Sequence, residues 1–197
     1  MGTVSRLKSK YSGPNHPWEA ARIEEERTLV KEYGLKNKKE IWKITSKLRK
    51  IKSQAKTLIA STTEQSKKEE KLLIERLMNL GILKEGSRLD NILEIDTKKM
   101  LNRRLQSIVL SKGLARTSKQ ARQMITHGHI TVKGNKTNIP GYLVPIKEEH
   151  QIKYAETSQF NDKEHPEISI KKKIESPPRE KTNEAPVQIV NPPEAQN

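Results

Sequence analysis

Residues 37–59 constrain the fold more than any other stretch of this chain. Ile41, Ile44, Leu48, Ile51, Ala55 and Leu58 recur at steps of three or four, which lines them along one side of an α-helix. Such a face has to be covered by other apolar surface. The remaining sides are cationic. Between Lys36 and Lys56 stand nine basic residues (Lys36, Lys38, Lys39, Lys43, Lys47, Arg49, Lys50, Lys52 and Lys56), and Glu40 is the only acid among them. A merely solvated helix usually carries acids at i,i+4 spacing to its bases. They are missing here. The helix therefore calls for a packed partner on one side and a polyanion on the others.

Composition sets the limits around this helix. The chain has 197 residues, 39 of them Lys or Arg and 24 Asp or Glu, for a net charge of +15, and 32% are hydrophobic. That apolar fraction predicts one or two small cores rather than a single large one. There is no cysteine, which excludes disulfides, cysteine nucleophiles and thiolate metal sites. No apolar run approaches the roughly 18 residues of a membrane-spanning helix, and residues 1–8 lack the apolar stretch of a secretory signal. No membrane partner is expected. Residues 176–197 hold half of the ten prolines. They carry two basic against three acidic residues, leaving +16 on the other 175. This stretch cannot bury enough apolar surface to offset its ordering entropy and is expected to be a disordered tail.

Residues 1–17 read as an irregular basic arm that includes Arg6, Lys8, Lys10 and Tyr11. A helix is predicted from Trp18 to about Tyr33, stopped by Gly34 in the left-handed position past its end. A more balanced helix over 64–80 (Leu72, Leu73, Leu77, Leu80) ends at Gly81. Residues 82–100 read as a short connection, with Arg88-Leu89-Asp90 as a linker element and Asp96 or Thr97 capping the next helix. Trp42 is expected to pack beside Ile41 and Leu48. Tyr11 is the better candidate for stacking on a base.

From Leu101 the pattern changes. Leu101, Leu105, Ile108 and Val109 form an apolar face that ends at Gly113. Thr117 with Gln120 is a capping box, so a second helix begins near Ser118 and buries Ala121, Met124 and Ile125. Gly128 ends that helix. His129–Lys133 alternates as a strand, Gly134-Asn135 reads as a tight hairpin turn, and return strands are expected near 136–139 and 151–154. The second helix presents Lys119, Arg122, Gln123 and Thr126, with Arg116, Thr117 and Ser118 at its N-terminus. Free backbone N–H groups and a partial positive charge there suit phosphate, and guanidinium and hydroxyl donors add charge-assisted contacts. His127 and His129 lack a third metal ligand of known geometry, so no metal and no cofactor is expected. His129 instead packs or meets the polyanion.

These residues resemble the small RNA-binding domain of ribosomal protein S-four, which recurs as a module in several RNA-modifying enzymes. The likeness rests on Arg103, Arg104 and Leu105, then Ser118, Ala121 and Arg122, then Gly128, His129, Ile130, Val132 and Gly134. Where many bacterial members have Asp after the Arg-Leu pair, this chain has Gln106, which removes one acidic helper and is closer to the archaeal and eukaryotic branch. Tyr11 to Trp18, Glu32 to Lys43, Asn138 to Tyr142 and Glu164 to Glu167 are also similar to the archaeal-type protein. The resemblance thus covers roughly residues 5–170.

The resemblance implies a non-enzymatic structural constituent of the small ribosomal subunit, located in the cytoplasm. Such a protein binds small-subunit rRNA early in assembly, neighbours ribosomal protein S-five and other small-subunit proteins, and lies near the channel by which mRNA enters, with an effect on decoding accuracy. It implies no homo-oligomer and, without cysteines, none of the zinc of bacterial relatives. The RNA-binding set it suggests is Lys8, Lys10, Tyr11, Lys36, Lys38, Lys39, Lys43, Lys47, Arg49, Lys50, Arg103, Arg104, Lys112, Arg116, Thr117, Ser118, Lys119, Arg122, Gln123, Thr126, His129 and Lys133. The expected fold class is α+β. Residues 1–100 form a mainly helical basic domain with its arm, and 101–156 a small helix-loop-helix-strand module. Residues 157–175 form a return segment before the tail. An RNA-modifying enzyme would need a catalytic domain, which the basic, helical residues 1–100 do not supply. A DNA-binding helix-turn-helix protein fits 101–127 superficially, but the strands that follow and the long basic helix argue against it. A ribosome-biogenesis paralogue with the same chemistry is the remaining alternative.

Overall fold

The computed structural model describes Ser9 and residues 11–161. Lys8 and Lys10, most of the expected return segment and the Pro-rich tail lie outside the described residues. In chain order the elements are α1 (Ala20–Glu32), α2 (Lys38–Ala60), α3 (Glu64–Asn79), α4 (Leu89–Leu93), α5 (Thr97–Asn102), α6 (Leu105–Ser111), α7 (Ser118–Thr126), β1 (Ile130–Val132), β2 (Asn135–Lys136), α8 (Ile146–Glu149) and β3 (Ile152–Tyr154), closing with a 3-10 turn at Gln159–Asn161. This is the expected α+β architecture. No helix among the described residues is long and apolar enough to cross a membrane.

The apolar stripe of α2 is covered as its spacing requires. Ile41, Ile44, Leu48, Ala55 and Leu58 are buried with Leu35 against Leu73 and Leu77 of α3, Leu89 and Ile92 of α4, Ile95, and Met100 and Leu101 of α5. Full burial of each of these Ile, Leu and Met side chains contributes roughly 1.5–3 kcal/mol of transfer free energy. A second cluster joins Leu105, Ile108 and Val109 of α6, Ala121, Met124 and Ile125 of α7, Ile130 and Val132 of β1, Val144, and Ile152 of β3.

Several local expectations change. Residues 82–100 are more than a connection. Leu89, Ile92, Leu93 and Ile95 close the first core over α2, so Arg88-Leu89-Asp90 opens a core helix. Asp96 stands at the N-cap of α5, but its side chain makes no capping hydrogen bond. The apolar face from Leu101 to Val109 does not belong to one helix. The chain breaks at Arg103 and Arg104, where Leu105 N–H donates to the Tyr142 carbonyl (2.8 Å) and Val144 N–H donates to the Arg103 carbonyl (3.0 Å). The break satisfies backbone groups of the 140–144 segment that no helix could reach.

The capping of α7 holds with one variation. Thr117 Oγ1 accepts from Gln120 N–H at 3.2 Å, while Gln120 Oε1 accepts from the N–H of Arg116, one residue before the cap, at 2.8 Å. The hairpin turn shifts by one residue. Val132 faces Asn135, so the two turn residues are Lys133 (φ +53°) and Gly134 (φ +79°). Two positive φ values in a two-residue turn are the type I′ pattern. The sheet runs β2–β1–β3, all antiparallel, and Thr131 is opposite both Lys136 and Lys153. Ile130, Val132 and Ile152 therefore face the helices, while Thr131, Lys136 and Lys153 share the other face.

Candidate nucleic-acid interface

Lys39, Lys43, Lys47 and Lys50 follow one another along α2 at steps of four, four and three, and all are exposed, as are Lys36 and Arg49. The helix carries them beside its buried stripe, so packing the stripe holds the ammonium groups in a fixed row. Lys38 is drawn away. It pairs with the buried Glu26 of α1 at 3.1 Å, and Glu26 also takes Arg22 Nη1 at 2.6 Å and Trp42 Nε1 at 2.9 Å. Burial raises the Glu26 carboxyl, but the donors Trp42, Lys38 and Arg22 outweigh it and hold it below its ordinary range. Trp42 is thus anchored to α1 as well as half-buried. Tyr11 leans on it with ring centroids 6.4 Å apart, and Ser12 N–H donates to Ser46 Oγ at 3.1 Å. The described end of the basic arm lies along α2.

The second group of cations gathers at the seam between the two cores. Glu40, the one acid of the basic stretch, accepts from Arg104 Nη2 at 2.5 Å through Oε2 and from Arg122 Nη2 at 2.6 Å through Oε1. Burial raises its carboxyl, yet the hydrogen bonds and charges of Arg122 and Arg104 prevail and leave it lowered. Arg104 is 4% exposed, so its guanidinium is spent inside the protein rather than offered to a phosphate. Arg103 is also turned inward, donating to Glu149 Oε2 at 2.8 Å and to the Val144 carbonyl at 2.9 Å. Lys112 donates to the Glu149 carbonyl, and Lys133 pairs with Glu148 at 2.9 Å.

Gln106 completes the seam. Its amide nitrogen lies 3.1 Å from the Tyr33 and Gly34 carbonyls and 2.8 Å from the Ser118 carbonyl. A carboxylate has no proton to give three carbonyls, so the glutamine is a structural donor, not a missing acid. Gly34, with φ +56°, stands so near α7 that a Cβ on it would come within 2.6 Å of Ser118 Oγ.

The other expected residues divide by exposure. Arg116, Thr117, Lys119, Gln123 and Thr126 are exposed around the start and outer side of α7, whereas Ser118 is half-buried against Gly34. His129 is half-buried. Its Nδ1 is 3.0 Å from Ser158 Oγ and its ring meets Phe160 edge-on. His127 stacks on it at 6.3 Å, and no group of three or more His, Asp or Glu among the described residues could hold a metal ion. Glu40 and Gln106 are the residues that sequence reading left out of the site. The signal for Glu40 was its isolation among nine cations. For Gln106 it was a neutral donor where acid is common.

Residues 103–150 match the S4 domain family. The small ribosomal subunit protein uS4 of Methanococcus aeolicus is 49% identical over 168 residues, 85% of this chain and 95% of that protein. The protein of the same description from Methanothermobacter thermautotrophicus is 42% identical over 176 residues, 89% of this chain and 97% of the relative. The chain belongs to the uS4 family. Its likeness to uS4 extends well beyond the matched domain, so the basic α2 helix and the seam stand within uS4-like sequence rather than on a foreign domain joined to an S4 module.

Proposed function

We propose that this chain is a structural constituent of the small ribosomal subunit and that it grips small-subunit rRNA without catalysing a reaction. Identity of 49% spanning 95% of an archaeal uS4 is the observation that carries this reading. The exposed row Lys39, Lys43, Lys47 and Lys50, together with Lys119 and the N-terminus of α7, gives it a mechanism. Each ammonium placed against a phosphate releases condensed counterions, and structured RNA is recognised by shape more than by sequence. A seam closed by Glu40 and Gln106 keeps the two cationic surfaces at a fixed spacing before RNA arrives, which lowers the ordering cost of binding.

The finer role we infer is a primary rRNA-binding one in the cytoplasmic ribosome. The protein nucleates assembly of the subunit body, adjoins ribosomal protein S-five, and sits near incoming mRNA with an effect on translational accuracy. The test is binding of the purified chain to transcribed small-subunit rRNA across a salt series. Replacing Lys43, Lys47 and Lys50 by Gln is expected to lower the slope of log affinity against log salt by about 2 to 3, given roughly 0.7–0.9 per phosphate contact. An unchanged slope would refute the assignment of α2, and recovery of the protein only free of small subunits in low salt would favour a biogenesis factor or a DNA-binding protein.

A further inference from the structure

The S4-type module has a second cationic face that the interface above does not use. Thr131 on β1 is opposite Lys136 on β2 and Lys153 on β3. Side chains in register across a sheet share a face, so the outer surface carries a row of lysine, threonine and lysine over three strands. The inner face of the same strands, through Ile130, Val132 and Ile152, is packed on α6 and α7. The row therefore looks away from α7. It lines a cleft of about 650 Å³ in which Lys133 also stands, and among the described residues that line it Glu156 is the only acid.

Partners separate these lysines. Lys133 is paired with Glu148. Lys136 donates to the neutral Thr157 hydroxyl at 3.0 Å. Among the described residues neither Lys136 nor Lys153 has an acidic partner. Two like charges on one sheet face, about two strand spacings or ~10 Å apart, repel within a Debye length at ordinary salt, and a bound anion relieves that repulsion. The spacing allows each ammonium a different phosphate, with Thr131, whose hydroxyl donates to the Lys153 carbonyl at 3.2 Å, between them. A protein partner would look for a buried apolar or aromatic anchor at the centre of its contact, and this row offers none.

We propose that the outer face of the three-stranded sheet is a second phosphate-binding surface, with Lys136 and Lys153 holding one strand of rRNA backbone on either side of Thr131. The proposal rests on the rRNA-binding reading above, and it makes the module a body gripped from two sides. Both lysines are exposed, so replacing them does not disturb the core.

The experiment compares the Lys136→Gln/Lys153→Gln variant with the full-length parent on transcribed small-subunit rRNA. The slope of log affinity against log salt is expected to fall by about 1.4–1.8, and binding near 0.1 M salt to weaken more than tenfold. Lys136→Arg/Lys153→Arg should retain the parental slope. If the Gln pair leaves slope and affinity unchanged while Lys43→Gln/Lys47→Gln/Lys50→Gln lowers both, the sheet face is not an RNA surface and the rRNA reading stands, whether or not an acidic protein covers the face. If neither variant changes binding, the rRNA reading itself fails and this proposal falls with it.

Discussion

The Glu40 carboxylate takes guanidinium groups that lie 64 and 82 residues further along the chain, and it is the most consequential side chain at the seam. Removing the charge leaves Arg104 buried beside Arg122 with no counter-charge. Breaking a fully buried pair in this way costs roughly 3–5 kcal/mol. With Glu40 19% exposed, Glu40→Gln is expected to cost about 2 kcal/mol, readable as a lower urea midpoint at neutral pH. Its pH dependence has a definite sign. The folded carboxyl sits below its ordinary value, so its stabilising share is complete above the unfolded range and is lost as pH falls through the folded value. The parent should therefore lose more stability than Glu40→Gln on going from neutral pH to about pH 3. Equal losses in the two proteins would show that Glu40 contributes no linked proton. Gln106 works beside it through hydrogen bonds alone, and its three carbonyl partners make that part of the seam independent of pH.

At the scale of elements, α4 is the surprise. A five-residue helix does not persist alone, and it exists here because Leu89 and Ile92 drop into the core over α2. Ile92 is fully buried, so Ile92→Ala is expected to cost about 2–5 kcal/mol, whereas Asp90→Ala on the exposed side should shift stability by no more than ~0.5 kcal/mol. Chemical denaturation of both variants checks the contrast, and a neutral Ile92→Ala would return 82–100 to a linker. Long periodic elements were legible from sequence. The bounds of α1, α2, α3 and α7 follow from stripes, from Gly34, Gly81 and Gly128, and from the Thr117 cap. What was not legible depends on distant partners. The break at Arg103 and Arg104 is dictated by Tyr142 and Val144, and the short strands are set by pairing register, which carried the turn to Lys133 and Gly134. The candidate interface divides in the same way. The exposed row on α2 is visible as spacing, while the inward turn of Arg103, Arg104 and Lys38 comes from acids that only the fold brings near.

For the whole molecule, charge placement decides what can be removed. Residues 1–175 carry +16 and residues 176–197 carry −1. A polyanion therefore has no net electrostatic gain from the C-terminal stretch, and counterion release comes from cations that meet phosphate. Both cationic surfaces and the seam that spaces them lie within residues 11–161. Deleting residues 176–197 is then expected to leave affinity for small-subunit rRNA within about threefold of the full chain and the salt slope unchanged, measured by filter retention of transcribed rRNA between 50 and 200 mM salt. Two variants of opposite kind make the comparison decisive. Loss of three lysines from α2 lowers the slope while leaving the charge of the tail as it was, and loss of the tail leaves the slope while raising net charge by one. Were net charge alone the driver, the tail deletion would strengthen binding and the position of the lysines would not matter. A large loss on deletion would show instead that the C-terminal stretch makes its own contacts with the RNA.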